Sequence, residues 1–241
     1  MSIRTQSVRP RGGLAESALY RRAFVERVHR LLDLGHKQLR AVQNLNAKEE
    51  PAITGHLVDC LRRIIEDRRS PAWMSQFAVH DDPPQSSAGA EGKQRRRVDI
   101  VFELTQRGVH PRFPIEAKRL NGTKGVREYL GEDGLGCFLS SRYAPEACDA
   151  GMLAYVQEGA VADWAQKVSE QLEQDRTTHQ LAPGTACWIA ETLVGRPIMT
   201  FRTHHIRKKR SLAVYHTFMP CQRATRRSGV SRRAERPPSA S

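Results

Sequence analysis

The 241-residue chain carries 39 Lys and Arg against 26 Asp and Glu, a formal net charge of +13 with a pI near 10.1. That length suits one domain with attachments rather than two equal domains, and the basic excess points to a polyanionic partner, nucleic acid first. No apolar run approaches the ~18 residues of a membrane helix, the start MSIRTQSVRPRGG lacks signal-peptide character, and five cysteines without CxxC or zinc-like spacing fit reduced thiols in a cytoplasmic protein.

The first 13 residues read as a flexible basic start. From there SALYRRAFVERVHRLLDLGHKQLRAVQNLN repeats its apolar residues every three, four or seven positions, predicting an amphipathic helix or a helical pair broken near Gly35. EEPAITGHLVDCLRRIIEDRR predicts a second helix, with Pro51 in its first turn and Ile53, Leu57, Leu61, Ile64 and Ile65 as its buried stripe. The period then changes to that of strands over residues 73–80, 96–104 and 112–120, with a polar loop at 81–94 between the first two. Residues 126–140 read as helical in part, 151–158 as a strand and 160–174 as a helix. Segment 185–193 is a weaker strand, and 197–207 and 211–220 form a hairpin across Lys208, Lys209 and Arg210. The whole is an α/β class with one mixed central β-sheet flanked by helices, a single domain over 14–220 with its core at about 50–175.

Residues 201–241 hold 11 Lys and Arg and one acid, Glu235, so ten of the thirteen excess charges lie there. From Cys221 onward the Arg-rich tail reads as disordered, and a solvated end explains its charge as well as a nucleic-acid contact does. The same two readings apply to Arg96 and Arg97, which precede Asp99, and to the hairpin cations Arg207, Lys208, Lys209 and Arg210: each contacts phosphates or keeps a loop solvated.

The chemistry concentrates in two apolar strands. In VDIVF, Asp99 stands among Val98, Ile100, Val101 and Phe102, where a carboxylate is costly unless solvated, paired or bound to a cation. In RFPIEAKRL, Glu116 and Lys118 are two apart and share one face of the sheet. A hairpin between these strands sets Asp99 across from Glu116, and two carboxylates so placed favour a divalent cation, with the Ala117 carbonyl as a third oxygen. Mg²⁺ held this way would polarise a phosphoryl oxygen and lower the pKa of a bound water, with Lys118 beside it to orient water or stabilise charge on the phosphate. Other chemistries lack their signatures. FLSSRY has no GxSxG setting, GEDGLG matches neither a dinucleotide fingerprint nor a Walker A loop, and no HExxH is present. His204 and His205, adjacent in a strand, point to opposite faces and read as structural or DNA-contacting; Trp73, Trp164 and Trp188 read as core.

Asp99, sixteen residues, then Glu116-Ala117-Lys118 resembles the D…(D/E)xK signature of the PD-(D/E)xK, or restriction-endonuclease-like, nucleases. The predicted order αβββαβ over residues 51–158 is similar to that superfamily's core. Val98 stands where the nominal motif has Pro. The resemblance implies a Mg²⁺- or Mn²⁺-dependent endonuclease acting on DNA, with metal ligands Asp99, Glu116 and the Ala117 carbonyl, and Lys118 orienting water. An acid on the first core helix also often joins the family's site, and Glu50 is carried over to that role, with Glu49 as its alternative. Restriction or phage defence, partner proteins of such a system and a homodimer that cuts both strands belong to the same implication. The alternative is an inactive nuclease-like module that binds nucleic acid or serves as a scaffold through the basic hairpin and tail.

Overall fold

The computed structural model describes residues 14–83, 97–105, 111–208 and 210–222, with side chains from residue 18 onward. The basic start, most of the 81–94 loop, Arg96, Lys209 and the tail beyond Gln222 lie outside the described residues.

Helices α1 (Leu14–Leu39) and α2 (Glu50–Glu66) are joined through a 3₁₀ turn, Leu45–Ala47. Gly35 does not break α1. It sits where a Cβ would come within 2.9 Å of Leu61 and 3.0 Å of Leu57, so the missing side chain lets α1 and α2 pack closely. Pro51 lies in the first turn of α2, as expected, because the amide it lacks has no helical partner there.

A seven-stranded sheet follows: β1 (Phe77–Asp81), β2 (Ile100–Leu104), β3 (Arg112–Leu120), β4 (Asp149–Val156), β5 (Ile189–Glu191), β6 (Met199–Arg207) and β7 (Arg210–Pro220). Its spatial order is β1-β2-β3-β4-β7-β6-β5, with β4 parallel to both β3 and β7 and all other pairs antiparallel. The first strand is shorter than expected because residues 74–76 form a 3₁₀ turn. The edge of β1 is covered by Arg62 of α2, which donates to the Val79 carbonyl (3.4 Å) and to Asp81 (2.5 Å).

Helices α3 (Gly125–Leu130), α4 (Leu135–Leu139) and α5 (Val161–Gln174) supply the other layer. One core lies beneath α1 and α2, where Leu31, Ile53 and Leu57 meet Phe102, Phe113 and Ile115. The second packs Tyr129, Phe138, Trp164 and Val168 on Met152, Ala154 and Phe218. Apolar alternation along β2 and β3 therefore faces α1 and α2, which leaves the intervening positions for other use. The glycines of GEDGLG serve the α3–α4 turn: a Cβ on Gly134 would lie 2.2 Å from the Tyr129 carbonyl, and one on Gly136 would lie 2.8 Å from that of Gly131.

Candidate active site

Asp99, Glu116, Lys118 and Glu50 come together. Strand β2 begins at Ile100, one residue later than Asp99, so Asp99 stands at the strand's mouth rather than within it. Its backbone carbonyl accepts from Asp82 N (2.9 Å), and its Oδ2 accepts from Ala117 N (2.7 Å). The register pairs Ile100 with Ile115, and the next step of an antiparallel ladder sets Asp99 opposite Glu116. Ile115 and Ala117 enter the core under α1 and α2, so Glu116 and Lys118 stand on the opposite face.

Lys118 Nζ donates to Glu116 Oε1 (2.8 Å), to the Ala117 carbonyl (2.8 Å) and to Glu50 Oε1 (3.2 Å). All three of its protons are thereby used. Glu50 opens α2, and its side chain is 23% exposed. Glu49, one residue earlier, is 74% exposed and pairs with Arg119 (2.7 Å), so Glu50 is the acid that joins the cluster.

Three carboxylates thus surround one ammonium. Burial, followed by the nearby Asp99 charge, pushes the Glu116 carboxyl up to about 8. Burial also raises Asp99 and Glu50, while Lys118 opposes both shifts. Lys118 itself is raised, because its carboxylate neighbours outweigh its desolvation. Glu116 is 4% exposed, and no N–H donor reaches its buried Oε2. With its pKa raised, Glu116 shares a proton with Asp99 when no cation is bound, and a divalent cation would take that proton's place.

Among the described residues no group of three or more His, Cys, Asp or Glu side chains forms a ready-made metal cage. Mg²⁺ does not need one, since it keeps several waters and binds through one or two carboxylates. The donors here are all hard oxygens, namely Asp99, Glu116 and the Ala117 carbonyl, and Glu116 Oε2 is reached by no N–H donor, so the residues fit such an ion.

The basic residues separate. Arg207 is not a surface contact: it is 1% exposed, and its guanidinium donates to the carbonyls of Phe138 (2.9 Å), Ala144 (2.8 Å) and Ala147 (2.6 Å), with longer bonds to Tyr143 and Pro145. It pins the 138–147 loop to the end of β6. Arg97 is exposed and holds Asp82 (2.8 Å), Arg210 pairs with Glu146, and Lys208 is exposed.

His205 and His216 are buried in one hydrogen-bonded chain. His205 Nδ1 donates to the His179 carbonyl (2.7 Å), which leaves Nε2 to accept from the Thr203 hydroxyl (2.6 Å). Thr203 then accepts from His216 Nε2 (2.9 Å), and the Tyr129 hydroxyl donates to His216 Nδ1 (3.1 Å). His204 lies on the other face of β6, half-buried. Trp164 is core, whereas Trp73 and Trp188 are partly buried against the two cores.

Sequence reasoning missed Cys137 and Tyr143, both raised by burial and then by the Glu116 charge, which marks them as neighbours of the site. Their sequence setting in CFLSSRY carries no sign of this. A cavity of about 630 Å³ between α3, α4 and α5, lined by Val126, Arg127, Gln171 and His179 among others, includes none of the four cluster residues. The chemistry therefore sits apart from it.

Comparison with models of known families, with curated proteins and with solved structures finds no match. The functional reading rests on the residues themselves.

Proposed function

We propose that the chain is a metal-dependent nuclease of the PD-(D/E)xK kind that hydrolyses phosphodiester bonds of DNA. The observation that carries this reading is the buried Glu116 carboxyl, coupled to Asp99, with the Lys118 ammonium and the Ala117 carbonyl beside it and its Oε2 reached by no N–H donor. The order α2, β1, β2, β3, α3–α4, β4, with β1–β3 antiparallel and β4 parallel to β3, supports it as the αβββαβ arrangement the signature implies.

Asp99, Glu116 and the Ala117 carbonyl would hold Mg²⁺ or Mn²⁺. When bound, such an ion supplies polarisation of a phosphoryl oxygen and a lowered pKa for a coordinated water. Lys118 places a positive charge where the attacking water and the developing phosphate charge meet. Glu50 steadies the ammonium and helps keep it protonated. The Asp99–Ala117 N bond keeps the two acids in register. Among the described residues, Arg207 is buried and Arg97 and Arg210 are paired with acids, so these three offer a polyanion less free charge than the sequence suggests.

The decisive experiment incubates supercoiled and linear DNA with the protein and Mg²⁺, Mn²⁺ or EDTA, beside Glu116→Ala and Lys118→Ala. Cleavage that needs metal and falls by roughly a hundredfold or more in each variant supports the reading. Metal-independent cleavage, or cleavage unchanged in both variants, overturns it.

A further inference from the structure

We infer that Gln157 is a positioning residue for the carboxylate cluster, acting through Glu50; this rests on the reading of that cluster as a divalent-cation site. Gln157 follows the last residue of β4 and is 4% exposed. Its Nε2 donates to the carbonyls of Leu45 (2.9 Å) and Lys48 (2.8 Å), and its Oε1 accepts from Asn121 Nδ2 (2.9 Å). The amide is fully used, and none of its partners belongs to the cluster.

The position of those partners is what matters. Leu45 and Lys48 bracket the turn that leads into α2, and Lys48 lies two residues before Glu50. Asn121 lies three residues after Lys118. One side chain therefore ties the approach to Glu50 and the exit from Lys118 to a single point just past the end of β4. The start of α2 has little local definition of its own, since its N-cap residue, Glu49, makes no side-chain capping bond. Its place is set from the sheet as well, by Gln157, by the Glu49–Arg119 pair (2.7 Å) and by the buried Thr54–Tyr155 bond (3.0 Å). Glu50 must be held within 3.2 Å of a lysine 68 residues away, and a rigid approach accomplishes that. Only an amide suits the position, because two carbonyls need two donors while Asn121 needs an acceptor; a glutamate would turn acceptors toward acceptors.

The test is Mn²⁺ binding, measured by calorimetric titration with thermal melts alongside, for wild type, Gln157→Met, Glu50→Ala and the double variant. Gln157→Met is expected to weaken Mn²⁺ binding about tenfold in the wild-type background, because a displaced Glu50 no longer draws the Lys118 ammonium away from the Glu116 and Ala117 oxygens, and to add nothing once Glu50 is alanine. Asn121→Ala, which loosens the amide while keeping its two donors, is expected to weaken binding in the same direction by less, and it serves if Gln157→Met does not fold. Unchanged affinity in both Gln157→Met and Asn121→Ala, or equal losses with and without Glu50, overturns the positioning role. A wild-type protein that binds no Mn²⁺ overturns the cation site itself and this inference with it, an outcome distinct from the others.

Discussion

Lys118 and a divalent cation would seek the same oxygens. The ammonium rests on the Ala117 carbonyl and on Glu116 Oε1, two of the donors assigned to metal, so an arriving ion must move it aside. Lys118→Met is therefore expected to bind Mn²⁺ roughly tenfold more tightly while losing cleavage; weaker binding in the variant would show that the lysine does not compete. Glu116 is under a related tension. Its folded pKa is raised to about 8 from 4.5, so the fold holds a proton that the unfolded chain releases, and stability falls as pH rises through that window. Glu116→Gln should melt higher than wild type at pH 8 in EDTA, with the difference closing near pH 4.5. Mg²⁺ should close it too, since at a hundred times its dissociation constant a ligand adds about 2.7 kcal/mol to the wild type, whereas Asp99→Asn should show no such gain.

Turns and strand ends carry the sharpest structural demands. Gly134→Ala would force a Cβ against the Tyr129 carbonyl, which is backbone and cannot swing away, and should cost about 3 kcal/mol in denaturant unfolding. Arg207→Met strands several loop carbonyls at once and should cost a similar ~3 kcal/mol; a loss below ~1 kcal/mol would mean the loop finds other donors. The paired strands β6 and β7 also shape acid sensitivity. Burial holds His205 near 4 and His216 well below its ordinary value, and His29 on α1 is likewise lowered to about 4. A depressed histidine stabilises the fold above pH 6.5 and loses that contribution as pH falls toward 4, on the order of 3 kcal/mol for His205 and for His29, with His216 acting in the same direction. Urea melts should therefore weaken from pH 6.5 to 4.5 even in Glu116→Gln, where the opposing carboxylate is gone; a flat profile there would count against neutral buried imidazoles. These elements also divide what could be read ahead of the structure. Strand β3 runs from Arg112 to Leu120 as its alternation predicted, and the Asp99–Glu116 juxtaposition followed because both facts are local to one hairpin. The sequence left open whether Gly35 breaks its helix and placed Arg207 at the surface, because their meaning comes from Leu61 and from the 138–147 carbonyls, which no window around either residue contains. Gln157 was silent for the same reason, its carbonyl partners lying 109 and 112 residues away.

Across the molecule, β4 is the shared strand: β1–β3 lie on one side and β7, β6 and β5 on the other, and the cluster lies where β3 and the strand mouth of β2 meet α2. Helix α1 fastens the far side through Arg21–Asp149 (2.7 Å) and through Arg22 (2.9 Å), which shares Glu191 with Arg202. The hairpin β6–β7 was evident from its basic turn, but the insertion of β7 beside β4 was not, because strand neighbours so far apart in the chain leave no periodic trace. Among the described residues no helix is long and apolar enough to cross a membrane. The outer rim of the sheet at β1 has a consequence for handling the protein in solution. Arg62 lays a charged guanidinium on the Val79 carbonyl and the Asp81 carboxylate of an edge that would otherwise template the strand of another molecule. Removing it with Arg62→Ala should leave the melting temperature nearly unchanged yet bring on concentration-dependent aggregation, visible by light scattering, so that the colloidal lifetime of the protein depends on one side chain remote from its chemistry.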